Sequence, residues 1–306
     1  MTVLRIGTRR SALALAQTES VRAALGTFGV ASELVAMTTS GDEGAPSTTS
    51  PAGVKGLFVD AIVDALEGGL IDLAVHSAKD LPAEDEEEIV IAAVPPRANP
   101  FDVLVLREGG SLRPGGAIGT SSLRRKAQLH RSFPGILVED VRGNVDTRLR
   151  KLDEGVVDAV VLAAAGLARL GIERSHAKVL PLDQMVPAPG QGALAVQARA
   201  DDEDAIAAVA AIDDRESRLM LETERSLMWR LGGGCTLPLG AYAELDSAGI
   251  HLVAIVCTPE GERVARADVT SDSAEGAAAA ATKELLAHGA EEILAEVADE
   301  ETSGAG

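Results

Sequence analysis

Pro95-Pro96-Arg97-Ala98-Asn99-Pro100, paired with Pro187-Ala188-Pro189-Gly190-Gln191-Gly192, decides how this chain is partitioned. Proline fixes its own φ and disfavours helix in the residue before it, so both stretches read as stiff connectors. They bracket a segment that carries its own strands and helices, as expected of one lobe inserted into another with both crossings at one hinge. The domain limits that follow are 1–94 with 192–212 for the first lobe, 98–187 for the inserted lobe and 215–306 for a third unit.

Outward from the connectors, short apolar runs alternate with amphipathic stretches. Val3–Ile6, Ile71–Val75, Ile89–Val94, Val103–Leu106 and Val157–Leu162 read as strands. Ser11–Leu25, Leu57–Leu66, Leu123–His130 and Val145–Leu152 carry helical periodicity. The alternation predicts an α/β fold with largely parallel sheets. After residue 213 the pattern changes: a helix over Glu216–Leu231, a strand over Ile250–Val256 and an alanine-rich helix over Ser273–His288 predict a smaller α+β C-terminal domain. Residues 43–53 have loop composition and read as either a disordered loop or an active-site lid, Glu84–Glu88 is an acidic solvated run, and Thr302–Gly306 is expected to be a disordered tail.

Composition narrows the function. The net charge of −19 over 306 residues argues against a phosphate-backbone binder, and 2% aromatics leave few stacking platforms for single-stranded nucleic acid. Two cysteines, Cys235 and Cys257, make neither a disulfide framework nor a zinc cluster, and no metal site is expected. No run has the length of a membrane span and no signal-peptide core opens the chain, so a cytoplasmic protein is expected.

The residues suited to chemistry cluster after strands. Gly7-Thr8-Arg9-Arg10-Ser11 joins the first strand to the first helix, where an open α/β sheet binds ligands. Gly119-Thr120-Ser121-Ser122-Leu123-Arg124-Arg125 places a capping hydroxyl and two arginines at a helix N-terminus, which favours an anion. Arg142-Gly143-Asn144 and Arg148 repeat that logic after a tight turn. Each of these also has a plainer reading, as an ordinary cap with surface charge. Val75-His76-Ser77-Ala78-Lys79-Asp80-Leu81-Pro82 is the sharpest candidate for catalysis, since a fixed carboxylate stabilises a developing cation. His76 reads as structural and Cys257 as core. Cys235 stands in Gly232-Gly233-Gly234-Cys235-Thr236, a sterically open thiol on a glycine loop. A tethering thiol and an anion-binding surface together suggest an enzyme that holds a polyanion covalently.

Taken in order, Arg5-Ile6-Gly7-Thr8-Arg9, Gly56-Leu57-Phe58, His76–Pro82, Gly119–Arg125, Arg142-Gly143-Asn144, Pro189-Gly190-Gln191-Gly192-Ala193 and Gly233-Gly234-Cys235 resemble the porphobilinogen deaminase (hydroxymethylbilane synthase) family. The resemblance implies two periplasmic-binding-protein-like lobes plus a third domain. It also implies a transferase that joins four porphobilinogen molecules head to tail with loss of ammonia. Cys235 would carry a dipyrromethane cofactor through a thioether. Lys79, Thr120, Ser122, Arg124, Arg125 and Arg148 would hold that cofactor; Arg9, Ser11, Arg142, Arg169 and Gln191 would contact substrate; Asp80 would face the pyrrole nitrogens. A monomer that hands its product to the next tetrapyrrole enzyme is expected. The chain departs from the commoner pattern at Val54, Ala12 and Ala16, none of which removes a charge. Two other readings compete: a non-catalytic two-lobed anion-binding protein, and a thiol enzyme using Cys235 as an acyl-type nucleophile.

Overall fold

The computed structural model describes residues 3–37, 61–84, 87–232 and 237–303, with side chains to 297. The loop expected at 43–53 and residues 57–60 of the expected helix lie outside these; residues 61–67 are helical.

Three sheets organise the chain. The first has the order β2-β1-β3-β10-β4, with β1 Leu4–Arg9, β2 Ser32–Met37, β3 Leu73–Ser77, β4 Ile89–Ala93 and β10 Leu194–Arg199. The second has the order β7-β6-β8-β5-β9, with β5 Asp102–Leu106, β6 Ala117–Gly119, β7 Leu137–Glu139, β8 Ala159–Ala163 and β9 Ala177–Val179. The third is an antiparallel meander of β11 Leu239–Asp246, β12 Gly249–Cys257 and β13 Val264–Ser271.

The expectation of largely parallel sheets holds, with one reversed strand in each lobe. β10 runs antiparallel to both β3 and β4, and β5 runs antiparallel to both β8 and β9. These two strands are the ones that leave the connectors, so each enters its sheet from the hinge end. The two crossings touch: Ala98 N–H donates to Gly192 O at 3.2 Å. Gly192 has φ +89°, and a Cβ there would run into the carbonyl oxygen of Ala98. Only glycine lets the two segments lie this close.

Side-chain alternation builds each core. In β3, Leu73 and Val75 pack toward Val21 and Leu25 of the helix Ala12–Thr27, while Ala74 faces Ile62, Leu66 and Ile71. In the second lobe, Val103 and Val105 join Leu149 and Leu152, while Leu104 joins Leu129 and Met185. β12 is buried on both faces. Leu252, Ala254 and Val256 pack on the helices Arg215–Arg230 and Ala274–Ala287. Val253, Ile255 and Cys257 pack on Ala127 and Val186 of the second lobe. Fully burying a Val or Ile stabilises by about 1.5–3 kcal/mol, so this contact docks the third domain firmly. It also explains why β12 reads as an apolar run rather than an alternation.

The tail expectation is corrected in part. The last helix spans Ala290–Ser303 and takes in Thr302 and Ser303; residues 304–306 lie outside the described ones. Successive i, i+3 and i+4 apolar positions such as Ile293 and Val297 seat it on the third core. Among the described residues, no helix is long and apolar enough to cross a membrane.

Candidate functional site

The residues singled out in the sequence sit at the carboxyl ends of parallel strands in both lobes. In the first lobe, β1 ends in Arg9, and Ser11 caps the next helix by accepting from Ala14 N–H at 3.3 Å. β1 pairs with β3, so Arg9 lies beside the segment Ser77–Asp80, where a 3-10 turn carries Lys79 and Asp80. Ser77 Oγ accepts from Gln17 Nε2 at 2.7 Å. His76 is buried, which pushes its pKa down to about 4; Asp80 raises it and Arg9 lowers it further. It is therefore neutral at physiological pH, in keeping with a structural role.

In the second lobe, β6 leads into Thr120, whose Oγ1 accepts from Ser122 N–H at 3.2 Å. Ser122 caps the helix Leu123–Ser132 by accepting from Arg125 N–H. Arg124 and Arg125 turn inward. Arg124 Nη1 donates to Asp102 Oδ2 at 2.8 Å and to Val186 O at 2.7 Å. Arg125 donates to Asp102 Oδ1 from Nε at 3.1 Å and from Nη2 at 2.7 Å. Asp102 is fully buried, yet the two guanidiniums hold its carboxyl far below the usual carboxylate range. Burial costs the charged form, and the paired cations, with a hydrogen bond from Gln191, overcome that cost.

Arg148 and Arg169 are different. Arg148 lies on the helix Val145–Asp153 and folds back on the turn before it, Nε donating to Gly143 O at 2.7 Å. Arg169 Nη2 donates to Gly192 O at 2.7 Å, across to the second connector. Among the described residues neither has a carboxylate in salt-bridge range. Desolvation lowers the pKa of each to about 10, helped at Arg148 by the charge of Arg125 and opposed there by that of Asp140. Two half-buried cations with no carboxylate in salt-bridge range, in a chain of net charge −19, form a local positive field that a polyanionic group would compensate. The donor set therefore fits an acidic cofactor or substrate. Arg142 is solvent-facing and pairs with Asp140 at 2.9 Å.

Gln191 joins the lobes. It is 1% exposed; its Nε2 donates to Asp102 Oδ1 at 3.0 Å and to Pro100 O at 2.7 Å. Its Oε1 accepts from Lys79 Nζ at 3.3 Å, and its backbone O accepts from Arg97 Nε at 2.9 Å. Arg97 in turn forks onto Glu224 at 2.7 and 3.0 Å. Glu224 also accepts from Gly190 N–H and Ala243 N–H. The helix Arg215–Arg230 of the third domain is thereby bonded to both connectors.

Sequence reasoning missed Asp102, Arg97 and Glu224. A signal existed for two of them. Asp102 is a charge opening an otherwise apolar buried strand, and Glu224 lies on the buried stripe Ser217, Met220, Leu221, Leu227, Met228 of its helix. Cys235 lies outside the described residues; the chain reaches Gly232 after the helix Arg215–Arg230 and resumes at Leu237 before β11. Cys257 is core, as expected, and burial pushes its thiol up to about 12. Among the described residues, no group of three or more His, Cys, Asp and Glu could hold a metal ion.

Comparison with known proteins adds to this geometry. Residues 4–207 match the family model described as porphobilinogen deaminase, dipyromethane cofactor binding domain, and residues 219–288 match porphobilinogen deaminase, C-terminal domain. The porphobilinogen deaminase of Brevibacillus brevis is 44% identical over 299 residues, 96% of this chain and 97% of that protein. That of a Roseiflexus species is 45% identical over 298 residues, 95% and 98% of the two chains. That of Nocardia farcinica is 44% identical over 311 residues, 97% and 89%. Among solved structures, the methionine binding protein MetQ aligns with 70% of this chain and 91% of its own at 13% identity and a TM-score of 0.44.

Proposed function

The chain belongs to the porphobilinogen deaminase family, and on that premise we propose a division of labour among its residues. The enzyme is a transferase of porphyrin and heme biosynthesis that joins four porphobilinogen molecules head to tail, releasing ammonia, into 1-hydroxymethylbilane. The relatives favour this catalytic reading over a non-catalytic anion-binding protein. Its cofactor is dipyrromethane, which when bound supplies the anchored pyrrole end on which the product grows.

The observation that carries the residue assignments is the pair of desolvated guanidiniums, Arg148 and Arg169, that lack a carboxylate partner among the described residues. Arg148 holds cofactor carboxylates together with Arg124, Arg125, Lys79, Thr120 and Ser122. Arg169 binds substrate with Arg9, Ser11, Arg142 and Gln191. Charge-assisted hydrogen bonds of this kind offset the desolvation of carboxylates entering the cleft. Asp80, at the end of a 3-10 turn fixed on a buried strand, acts as the catalytic residue. It accepts from the substrate's pyrrole N–H and stabilises the cation left as ammonia departs, where that charge develops. His76, neutral and buried beside it, adds no positive charge to oppose this.

Cys235 is the covalent anchor, through a thioether. Residues 1–94 with 192–212, 98–187 and 215–306 are the three domains, a division supported by the membership of the three sheets. We further read the protein as a cytoplasmic monomer that hands its product to the next tetrapyrrole enzyme. The test is the intact mass of the purified chain beside Cys235→Ser, each treated with an aldehyde reagent that colours dipyrroles. Excess mass and colour on the wild type alone support the anchor. No adduct on the wild type, even after porphobilinogen is added, would sink the assignment.

A further inference from the structure

We propose that Asp102 is a positioning residue for the anion-holding edge of the second lobe. Its one carboxylate fixes both Arg124 and Arg125 and ties them through Gln191 to the hinge. The inference rests on the reading of Arg124 and Arg125 as cofactor-holding groups.

Asp102 opens β5 immediately after the first crossing, and its side chain is fully buried. Each carboxylate oxygen has assigned partners: Oδ2 takes Arg124, while Oδ1 takes the fork of Arg125 and the amide of Gln191. A role in stability alone does not explain this cluster. Buried ion pairs are weak stabilisers compared with apolar side chains of similar volume. Two cations on one carboxylate also leave a positive charge uncompensated in a desolvated place. In addition, Arg124 Nε is buried and has no hydrogen-bond partner among the described residues. The excess positive charge is what an anion docking on this edge would compensate, while the buried Nε marks how tightly Arg124 is held inward by its bonds to Asp102 and Val186 O.

Gln191 gives the link direction. Its carbonyl accepts from Lys79 Nζ and its amide donates to Asp102; turned over, the amide would face an ammonium and the carbonyl a carboxylate. A hydrogen-bonded path therefore runs from Lys79, the neighbour of Asp80, to both arginines. Arg125 has Nε and Nη2 on Asp102 and Nη1 on Val161 O at 3.1 Å, so its placement depends on Asp102.

The experiment uses the full chain prepared without cofactor. Porphobilinogen is added and the gain in intact mass is followed with time, below the melting midpoint of every variant. Asp102→Asn, close to isosteric, sets an amide N–H against an arginine N–H and can satisfy only one of the two cations. It is expected to gain the adduct at least tenfold more slowly than wild type while its circular dichroism shows it folded. Because Asp102 acts through Arg125, Asp102→Asn combined with Arg125→Gln should be no slower than the slower single variant. A wild-type rate in Asp102→Asn, or independent multiplication of the two effects, overturns the proposal. Should Asp102→Asn not fold, Asp102→Glu decides: it keeps the charge but displaces the carboxylate by one methylene. A tenfold slowing supports the proposal and a wild-type rate overturns it. A wild-type chain that never gains mass overturns the functional reading beneath it and, with that, the proposal.

Discussion

Replacing Arg97 with methionine should cost the protein more stability than removing the whole ion pair to which it belongs. The Glu224 side chain is completely buried and that of Arg97 is 10% exposed. The carboxylate accepts both guanidinium nitrogens, at 2.7 and 3.0 Å, and two backbone N–H groups. Arg97→Met deletes the cation and leaves the carboxylate where water cannot reach it. Breaking a buried pair from one side costs about 3–5 kcal/mol. The bond from Arg97 Nε to Gln191 O adds about 1 kcal/mol. The stacking of Arg97 over Tyr242, 5.8 Å from the ring centroid, adds about 0.5–1 kcal/mol. The sum is about 4.5–7 kcal/mol, and at about 2–4 °C per kcal/mol for a domain of 150–250 residues the melting midpoint should fall by about 9–28 °C. Arg97→Met combined with Glu224→Gln leaves no unpaired charge and should melt higher than Arg97→Met alone. Thermal melting followed by circular dichroism reads both. A fall of less than about 3 °C in Arg97→Met, or a double variant that loses as much as the two singles together, would refute the reasoning that an orphaned buried charge dominates.

Three further outcomes are expected. Asp80→Asn, near-isosteric on a 3-10 turn, should melt within a few degrees of wild type and lose turnover by at least about a hundredfold, in line with the loss of one electrostatic stabiliser of a transition state; near-normal turnover would remove Asp80 from the mechanism. Cys257, with its thiol pushed up to about 12, should not react with a thiol reagent in the native protein at pH 8; a native cofactor-free chain should show one reactive thiol and a denatured one two, and fast labelling of Cys257, located by peptide mapping, would contradict its burial. His76 has a folded pKa of about 4 against an ordinary value of 6.5, so the unfolded chain binds its proton first. Stability should therefore fall as pH drops from about 6.5 to about 4, by up to about 3 kcal/mol; in His76→Asn that segment of the urea-midpoint profile should flatten, and an unchanged slope would assign it to other groups.

Local pattern made much of this protein legible in its residues. Helix N-caps such as Ser11, Ser122 and Ser273 lie where the periodicity begins, because capping and amphipathic spacing are set within a few residues. The same holds for the strand-end placement of Arg9, Asp80 and Thr120, since a short apolar run followed by a polar cluster marks the edge of a parallel sheet. The proline and glycine connectors announce two lobes because φ is restricted residue by residue.

Charge partnership was not legible. Nothing in the run Ser122-Leu123-Arg124-Arg125 tells that both guanidiniums turn inward to Asp102, 22 and 23 positions earlier. Nor does the helix around Glu224 tell that its partner is Arg97, 127 positions away. The reversed place of β10 between β3 and β4 was equally hidden, and it is what brings Gln191 to Lys79 and Asp102. Apolar and backbone preferences act between near neighbours and leave a periodic trace in the chain. An ion pair depends only on distance and dielectric in three dimensions, so which arginine meets a carboxylate and which does not was decided when the lobes packed.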